Sequence, residues 1–142
     1  MADPAAPLAE LTEDECWALL VAGRFGRLAV SIGDQPEIFP INYHAADGSI
    51  LFRTAEGTKL FGIVVNRSVA FEIDDYDAET GWSVVVKGTA RVLATEAEIS
   101  EAEAAPLTPW SATVKRNFVR IDVAEVSGRR LTFGPEPESS FI

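Results

Sequence analysis

The apolar positions along the chain change their period several times, and each period predicts a type of element. Helical spacing predicts three short helices, over about residues 12–22, 58–65 and 96–104. The first of these begins with Thr12 and Glu15, which have the spacing of a capping box. The remaining apolar runs follow the shorter period of β-strands.

These runs predict seven strands. They lie at residues 28–32, 38–43, 50–53, 68–73, 82–93, 118–123 and 129–133. Asp47-Gly48 is a hairpin signal, Gly88 predicts a bulge or bend, 74–81 is an acidic loop, and Ser127-Gly128 predicts a turn. Connections are short and long crossover helices are missing. The pattern therefore favours a mainly β, antiparallel barrel of six to seven strands with two to three short helices.

The length of 142 residues predicts a single domain, and a hydrophobic content of 47% supplies its core. Residues 1–10 contain two prolines and several alanines, and we expect them to form a flexible arm. The domain is predicted to occupy residues 11–133, and the polar residues 134–142 form a tail.

Charge and cysteine content exclude several classes of protein. The formal net charge of -10 makes nucleic acid a poor partner. A single cysteine, Cys16, and a single histidine, His44, exclude an intrachain disulfide framework and the common structural zinc patterns, so we predict no metal. No apolar run is long enough to span a bilayer, and no signal-peptide pattern is present, so the expected setting is cytoplasmic without a membrane partner.

The segment with most chemical content is Phe52–Leu60, which reads as a strand end, a glycine turn and the start of a helix. Such a junction directs backbone N–H groups at one point and commonly binds phosphate. Thr58 adds a hydroxyl and Lys59 a cation. The same two residues could be only a helix cap and a solvated lysine, but the motifs at 40–43 and 81–88 favour the binding interpretation.

With these motifs in this order, residues 11–133 resemble the pyridoxamine 5'-phosphate oxidase-like family of flavin-binding split β-barrels. The motifs that carry the resemblance are Pro40–Tyr43, Asp47-Gly48, Phe52–Leu60 and Trp82–Ala90. The resemblance implies a Greek-key split barrel that forms a homodimer, with two cofactor sites at the subunit interface. The implied cofactor is FMN or, alternatively, the deazaflavin F420.

The resemblance also implies a set of cofactor-binding residues. These are Pro40, Ile41, Asn42 and Tyr43 along the isoalloxazine ring, Arg53 and Thr54 at the ring or ribityl chain, Gly57, Thr58 and Lys59 at the phosphate, and Trp82 and Ser83 on the other side. Trp110 and Arg129 are the residues that we expect from the second subunit.

The chain also departs from the family pattern. Lys59 is followed by Leu60, so the phosphate turn has one cation where the true oxidases have two, and Glu56 lies close by. Oxidation of pyridoxamine phosphate is therefore not expected. Relatives linked to nitroimidazole resistance tend to have histidine where this chain has Arg53, which leaves nitro-group reduction unsupported.

Three functional hypotheses follow. The first is an FMN-dependent oxidoreductase acting on a small-molecule redox substrate that the sequence does not identify. An F420-dependent reductase is the alternative form of this hypothesis. The second hypothesis is a non-catalytic binder of a flavin or another planar ligand such as haem, and the third is a domain that has lost its cofactor. A groove around Lys115, Arg116, Arg129 and Arg130 could hold the polyglutamate tail of F420, whereas the net charge opposes it. No catalytic residue is assigned, because His44 at a strand end needs no functional reason.

Overall fold

The computed structural model describes residues 7–55, 57–107 and 117–135. In chain order the elements are β1 (Leu8–Glu10), α1 (Glu13–Ala22), β2 (Phe25–Ile32), β3 (Gln35–Asn42), β4 (His44–Ala46), β5 (Ser49–Thr54), α2 (Thr58–Val65), β6 (Ser68–Tyr76), β7 (Thr80–Val92), α3 (Glu96–Glu103) and β8 (Asn117–Thr132). The strands pair antiparallel in the order β3-β2-β6-β7-β8-β5-β4, and β1 adds to β8. The mainly β, antiparallel split barrel that the sequence predicts is confirmed.

The core lies on one face of this curled sheet, because alternate residues of each strand point inward. In β6, for example, Val69, Phe71 and Ile73 are buried while their neighbours are not. Helix α1 contributes Cys16 and Leu20, both fully buried, and covers one end of the core. The interpretation of Cys16 as a small core hydrophobe is confirmed.

Local sequence signals fix both ends of α1 and the β4–β5 turn. Thr12 and Glu15 form the predicted capping box, with reciprocal bonds of 2.9 and 3.1 Å between side chain and backbone. The helix ends where Gly23 was expected to stop it. Asp47 and Gly48 both have positive φ, 52° and 73°, which is the geometry of a tight two-residue hairpin.

Gly88 lies at the predicted irregularity. The β7–β8 register shifts between Lys87 and Gly88, so that Gly88 pairs with Val123. A Cβ at position 88 would lie 2.3 Å from the carbonyl oxygen of Asp122, so only glycine allows the two strands to approach here.

The predicted turn at Ser127-Gly128 is wrong, because β8 continues through it to Thr132. Gly128 has a different role. A Cβ there would lie 2.7 Å from the Cys16 sulfur and 3.0 Å from a Leu11 methyl group, so the glycine lets α1 pack closely onto β8. Likewise, β6 extends to Tyr76, so only residues 77–79 remain of the acidic loop.

Strand β1 lies inside the segment that was expected to be an arm. Leu8 pairs with Leu131 and Glu10 with Arg129, and the amide of Thr132 donates to the carbonyl of Pro7 at 2.9 Å. Backbone pairing with the end of β8 is what places this segment in the sheet. An apolar run this short is not enough to indicate a strand from sequence.

A second, smaller apolar cluster lies on the outer face of the sheet, under α3. It consists of Leu51, Leu93, Ala102 and Phe118. Helix α3 is capped by Thr95, whose hydroxyl accepts from the amide of Glu98 at 3.2 Å. This cluster fixes α3 against β5, β7 and β8.

Candidate functional site

The predicted phosphate turn is the N-terminus of α2. Gly57 is the N-cap, with φ 149° and ψ -163°, a conformation that essentially only glycine adopts. The amide of Phe61 donates to the carbonyl of Gly57 at 2.9 Å, which closes the first turn. Apart from its chain neighbours, no described residue lies within 4 Å of where a Cβ of Gly57 would be.

This helix begins differently from the other two described helices. The N-termini of α1 and α3 are capped by Thr12 and Thr95 and carry acidic residues in their first turns. In α2 the N-cap makes no side-chain hydrogen bond, and the first turn contains no acidic residue. No described side chain in the first turn of α2 neutralises the partial positive charge of this N-terminus, so the charge favours an anion from outside the helix.

Lys59 connects the turn to β3. Its ammonium group lies over the ring of Phe39, 5.7 Å from the ring centre. Phe39 is half-buried and packs against the core, so it holds the start of α2 near the edge strand. Phe39 was not among the predicted site residues. Its position directly before Pro40, the first residue of the ring-binding motif, could have indicated it.

The predicted ring-binding strand is the edge of the sheet. β3 pairs on one side only, with β2, and Pro40 is exposed while Asn42 is half-buried. Ile41 and Tyr43, however, are 2% exposed. Their side chains lie in the core, so only their backbone atoms could contact a ligand.

The Tyr43 ring is a structural element of the core. Its hydroxyl donates to the carbonyl of Leu20 at 2.8 Å, and its ring meets that of Phe71 edge-on, with 4.8 Å between centroids. Burial raises the pKa of the Tyr43 phenol well above its usual value. The Tyr43 side chain therefore holds α1 on the barrel, and the predicted contact with the ring would fall to the Tyr43 backbone.

Arg53 and Thr54 end β5 and point in opposite directions. Arg53 is exposed, as alternation with the buried Phe52 predicts, and its guanidinium lies 4.9 Å from the ring centre of Phe118. Thr54 is buried, 2% exposed, and its hydroxyl donates to the carbonyl of Ala55. Arg53 can present its charge to a ligand, whereas the Thr54 side chain shapes the turn.

The other predicted contacts form a separate surface. Ser83 and Arg129 are directly paired across β7 and β8, and both line a hollow of about 390 Å³ beside β1. Trp82 is half-buried against the core, and it pairs with Arg130. Trp110, like Glu56, lies outside the described residues.

The two surfaces lie at opposite ends of β8. Arg53 pairs with Phe118 near its beginning, and Ser83 pairs with Arg129 near its end. Eleven residues of strand separate Phe118 from Arg129, which corresponds to about 36 Å of extended chain. Within one chain, Lys59 lies beside the edge strand, whereas Arg53 and Arg129 lie at opposite ends of β8.

A charged network that the sequence analysis did not anticipate lies on the outer face of β2 and β6. Arg27 contacts Glu72 at 2.9 Å and Asp74 at 3.0 Å, beside a hollow of about 290 Å³ that also includes Ile38. Burial, helped by the neighbouring Asp74, raises the pKa of Glu72 to about 7, against the opposing effect of Arg27. Residues 45 and 47 positions apart form this network, so no local pattern could have shown it.

Comparison with known proteins agrees with this geometry. Residues 12–130 match the pyridoxamine 5'-phosphate oxidase family, and the chain belongs to that family. An uncharacterised protein of Mycobacterium tuberculosis is 54% identical over 92 residues, which covers 65% of this chain and 84% of that protein.

Two solved structures similar to this chain are of FAD-binding proteins. The FAD-binding protein from Mycobacterium smegmatis is 42% identical, with a TM-score of 0.76, over 87% of this chain and 98% of that one. A FAD-binding protein from Mesorhizobium loti is 25% identical, with a TM-score of 0.74, over 88% and 99%. Within the described part of this chain, no helix is long and apolar enough to cross a membrane.

Proposed function

We propose that this protein is a flavin-dependent oxidoreductase that binds FMN with its phosphate at the N-terminus of α2. The observation that carries the proposal is the free start of α2: a glycine N-cap without a side-chain bond, no acidic residue in the first turn, and Lys59 beside it. A terminal phosphate would supply the anion that such a helix start favours.

The surrounding residues fit the rest of a flavin. The exposed edge of β3 offers backbone groups to a planar ring, and Arg53 offers a positive charge at the end of β5. When bound, the flavin supplies the hydride or electron transfer. The chain's own part is to anchor the phosphate through Lys59, to orient the ring along β3, and to favour negative charge on the ring through Arg53.

We further propose that the site is completed by a second copy of the chain. Arg129 and Ser83 lie at the opposite end of β8 from Arg53, so in this proposal they reach the ligand from the second copy. Apolar side chains near the proposed site are also exposed: Ile38 on β3 is 68% exposed, and Phe61 and Val64 on α2 are 58% and 64% exposed. A homodimer would bury them.

The charges around Arg129 and Arg130 favour FMN over F420. Glu10 pairs with Arg129, and Glu15 lies within electrostatic range of Arg130. These carboxylates weaken the attraction of the two arginines for a polyglutamate tail.

The test is a fluorescence titration of the purified protein with FMN, FAD and F420 in parallel. We expect FMN to bind most tightly and Lys59→Gln to weaken it by about tenfold, the effect of one charge-assisted hydrogen bond. Lys87→Gln, an exposed lysine on β7, is the matched control and should change nothing. Tighter binding of F420, or equal effects of the two substitutions, would contradict the proposal.

Two further experiments address catalysis and assembly. Bleaching of the bound flavin by NADH or NADPH, followed by reoxidation with an electron acceptor, supports an enzyme, whereas binding without reduction supports the non-catalytic alternative.

Mixing Lys59→Gln and Arg129→Gln subunits should restore tight binding at roughly a quarter of all sites, because each mixed dimer contains one intact site. If mixing restores no tight FMN binding, Lys59 and Arg129 either belong to the same subunit's site or do not both contact the ligand, and the shared site is contradicted.

A further inference from the structure

A third hollow, of about 250 Å³, lies between the β4–β5 hairpin, β8 and the end of α3. Its lining includes His44, Asp47, Ser49, Leu51, Glu101 and Arg120. Ser49 begins β5 and Thr54 ends it, so this hollow lies about 16 Å along the strand from the proposed phosphate turn. It is not part of the proposed flavin site.

The sheet register builds the polar side of this hollow. His44 on β4 pairs with Leu51 on β5, and Leu51 pairs with Arg120 on β8. Directly opposed residues of paired strands project from the same face of a sheet, so these three side chains form a row on the outer face. Leu51 also belongs to the apolar cluster under α3, which gives the hollow an apolar floor.

Arg120 is poorly satisfied in this position. Its Nη1 donates to the Ser49 hydroxyl at 3.3 Å, and that hydroxyl donates to the carbonyl of Ala46 at 3.1 Å. Its Nε is buried and has no hydrogen-bond partner among the described residues. Buried polar atoms without partners are rare in folded proteins, and a permanently charged guanidinium makes this one costly.

Two carboxylates near this row of side chains, Glu98 and Asp122, are engaged by another arginine. Arg91, which pairs with Arg120 across β7 and β8, contacts Glu98 at 2.6 Å and Asp122 at 3.0 Å. Within the described ranges, Arg120 has no carboxylate within salt-bridge distance. The Arg120 guanidinium thus lies at the wall of the hollow, while Glu98 and Asp122 form ion pairs with Arg91 instead.

We propose that this hollow binds a small organic monocarboxylate, with the carboxylate group on Arg120 and the hydrocarbon part against Leu51 and the alanines of α3. A guanidinium presents a planar fork of donors that matches a carboxylate, and the buried Ser49 and the half-buried His44 add polar groups beside it. Asp47 and Glu101 line the same hollow, are solvent-exposed, and act against ligands with two negative charges.

The experiment uses full-length protein labelled with ¹⁵N and titrated with sodium benzoate and, separately, with inorganic phosphate. We expect benzoate to cause saturable shifts of the Arg120 Nε–H and Ser49 amide signals, with weaker or no effect of phosphate. Arg120→Gln should weaken benzoate binding by at least about tenfold. Arg24→Gln removes an exposed arginine elsewhere, carries the same change of charge, and should leave binding unchanged.

A second variant keeps the test decisive if Arg120→Gln does not fold. Ala104→Leu places extra atoms at the exposed end of α3, where the hollow opens, and should block benzoate while the protein stays folded. Absence of saturable shifts, or binding that survives both substitutions, would overturn the proposal. Phosphate binding as tight as that of benzoate would overturn the assignment to monocarboxylates. Loading the protein with FMN should not alter the result, because the two sites are separate.

Discussion

Thr58→Asp should raise the stability of the protein and lower its affinity for FMN. Thr58 is exposed and is the first helical residue of α2, whose first turn contains no acidic residue. A carboxylate there meets the partial positive charge of the helix start, which stabilises helices by about 0.3–1 kcal/mol. The midpoint of thermal unfolding without flavin should therefore rise by about 1–3 °C.

The same carboxylate would repel a bound phosphate. For a phosphate carrying two negative charges about 5 Å away, Coulomb's law gives about 1.5–3 kcal/mol at effective dielectric constants between 80 and 40. The dissociation constant should therefore rise by about 10- to 150-fold. A fluorescence titration with FMN measures this directly, and the effect should shrink as salt is added.

Two control variants separate charge from other causes. Thr58→Asn removes the hydroxyl and has the shape of the acid without its charge, so it should bind FMN nearly as well as the parent. Gln35→Glu adds the same charge at the exposed start of β3 and should leave both quantities unchanged. Unchanged FMN affinity in Thr58→Asp would show that the phosphate does not lie at α2, and lower stability would show that its N-terminus is already satisfied.

Three further changes test other parts of the structure. Tyr43→Phe removes the buried bond to Leu20 and should cost about 1–2 kcal/mol in urea unfolding; an unchanged midpoint would exclude this bond as an anchor of α1. Gly88→Ala forces a Cβ against the Asp122 carbonyl and should destabilise by about 1–3 kcal/mol, more than Gly134→Ala, where the described residues leave the Cβ in open space and φ is not positive. The folded protein binds the Glu72 proton more tightly than the unfolded chain, because the pKa of Glu72 rises from 4.5 to about 7. The free energy of unfolding should therefore fall by about 1 kcal/mol as the pH rises from 4.5 to about 7, after a discount for the solvent exposure of Glu72. Glu72→Gln should lack this pH dependence, and an equal dependence in both proteins would contradict the assignment to Glu72.

Signals within a few residues predicted most of the fold. The capping box at Thr12 and Glu15, the hairpin at Asp47-Gly48 and the irregularity at Gly88 each depend on backbone geometry that the local sequence controls. The segment around Gly57 was likewise recognisable, because a glycine turn into a helix has a local signature.

Features that depend on distant contacts were missed. Gly128 was assigned to a turn because sequence does not distinguish a glycine needed for a turn from one needed for close packing. Its role depends on contact with Cys16, which is distant in the chain. Arg120 meets Ser49 across 71 positions, which no periodicity shows. The burial of Tyr43 was predictable in part, since alternation puts it on the same face as Ile41.

The pairing of β1 with β8 has a consequence for how the chain could be rewired. Residues 8–10 meet residues 129–131, so the first described strand must wait for the last one before it can form. A circular permutant that joins the segment after Phe133 to Pro7 and opens the chain between Asp47 and Gly48 would turn this distant pairing into a local one and the β4–β5 hairpin into a distant one. Because local contacts form before distant ones, β4 rather than β1 should be the strand that joins last in the permutant, with the same sheet at the end.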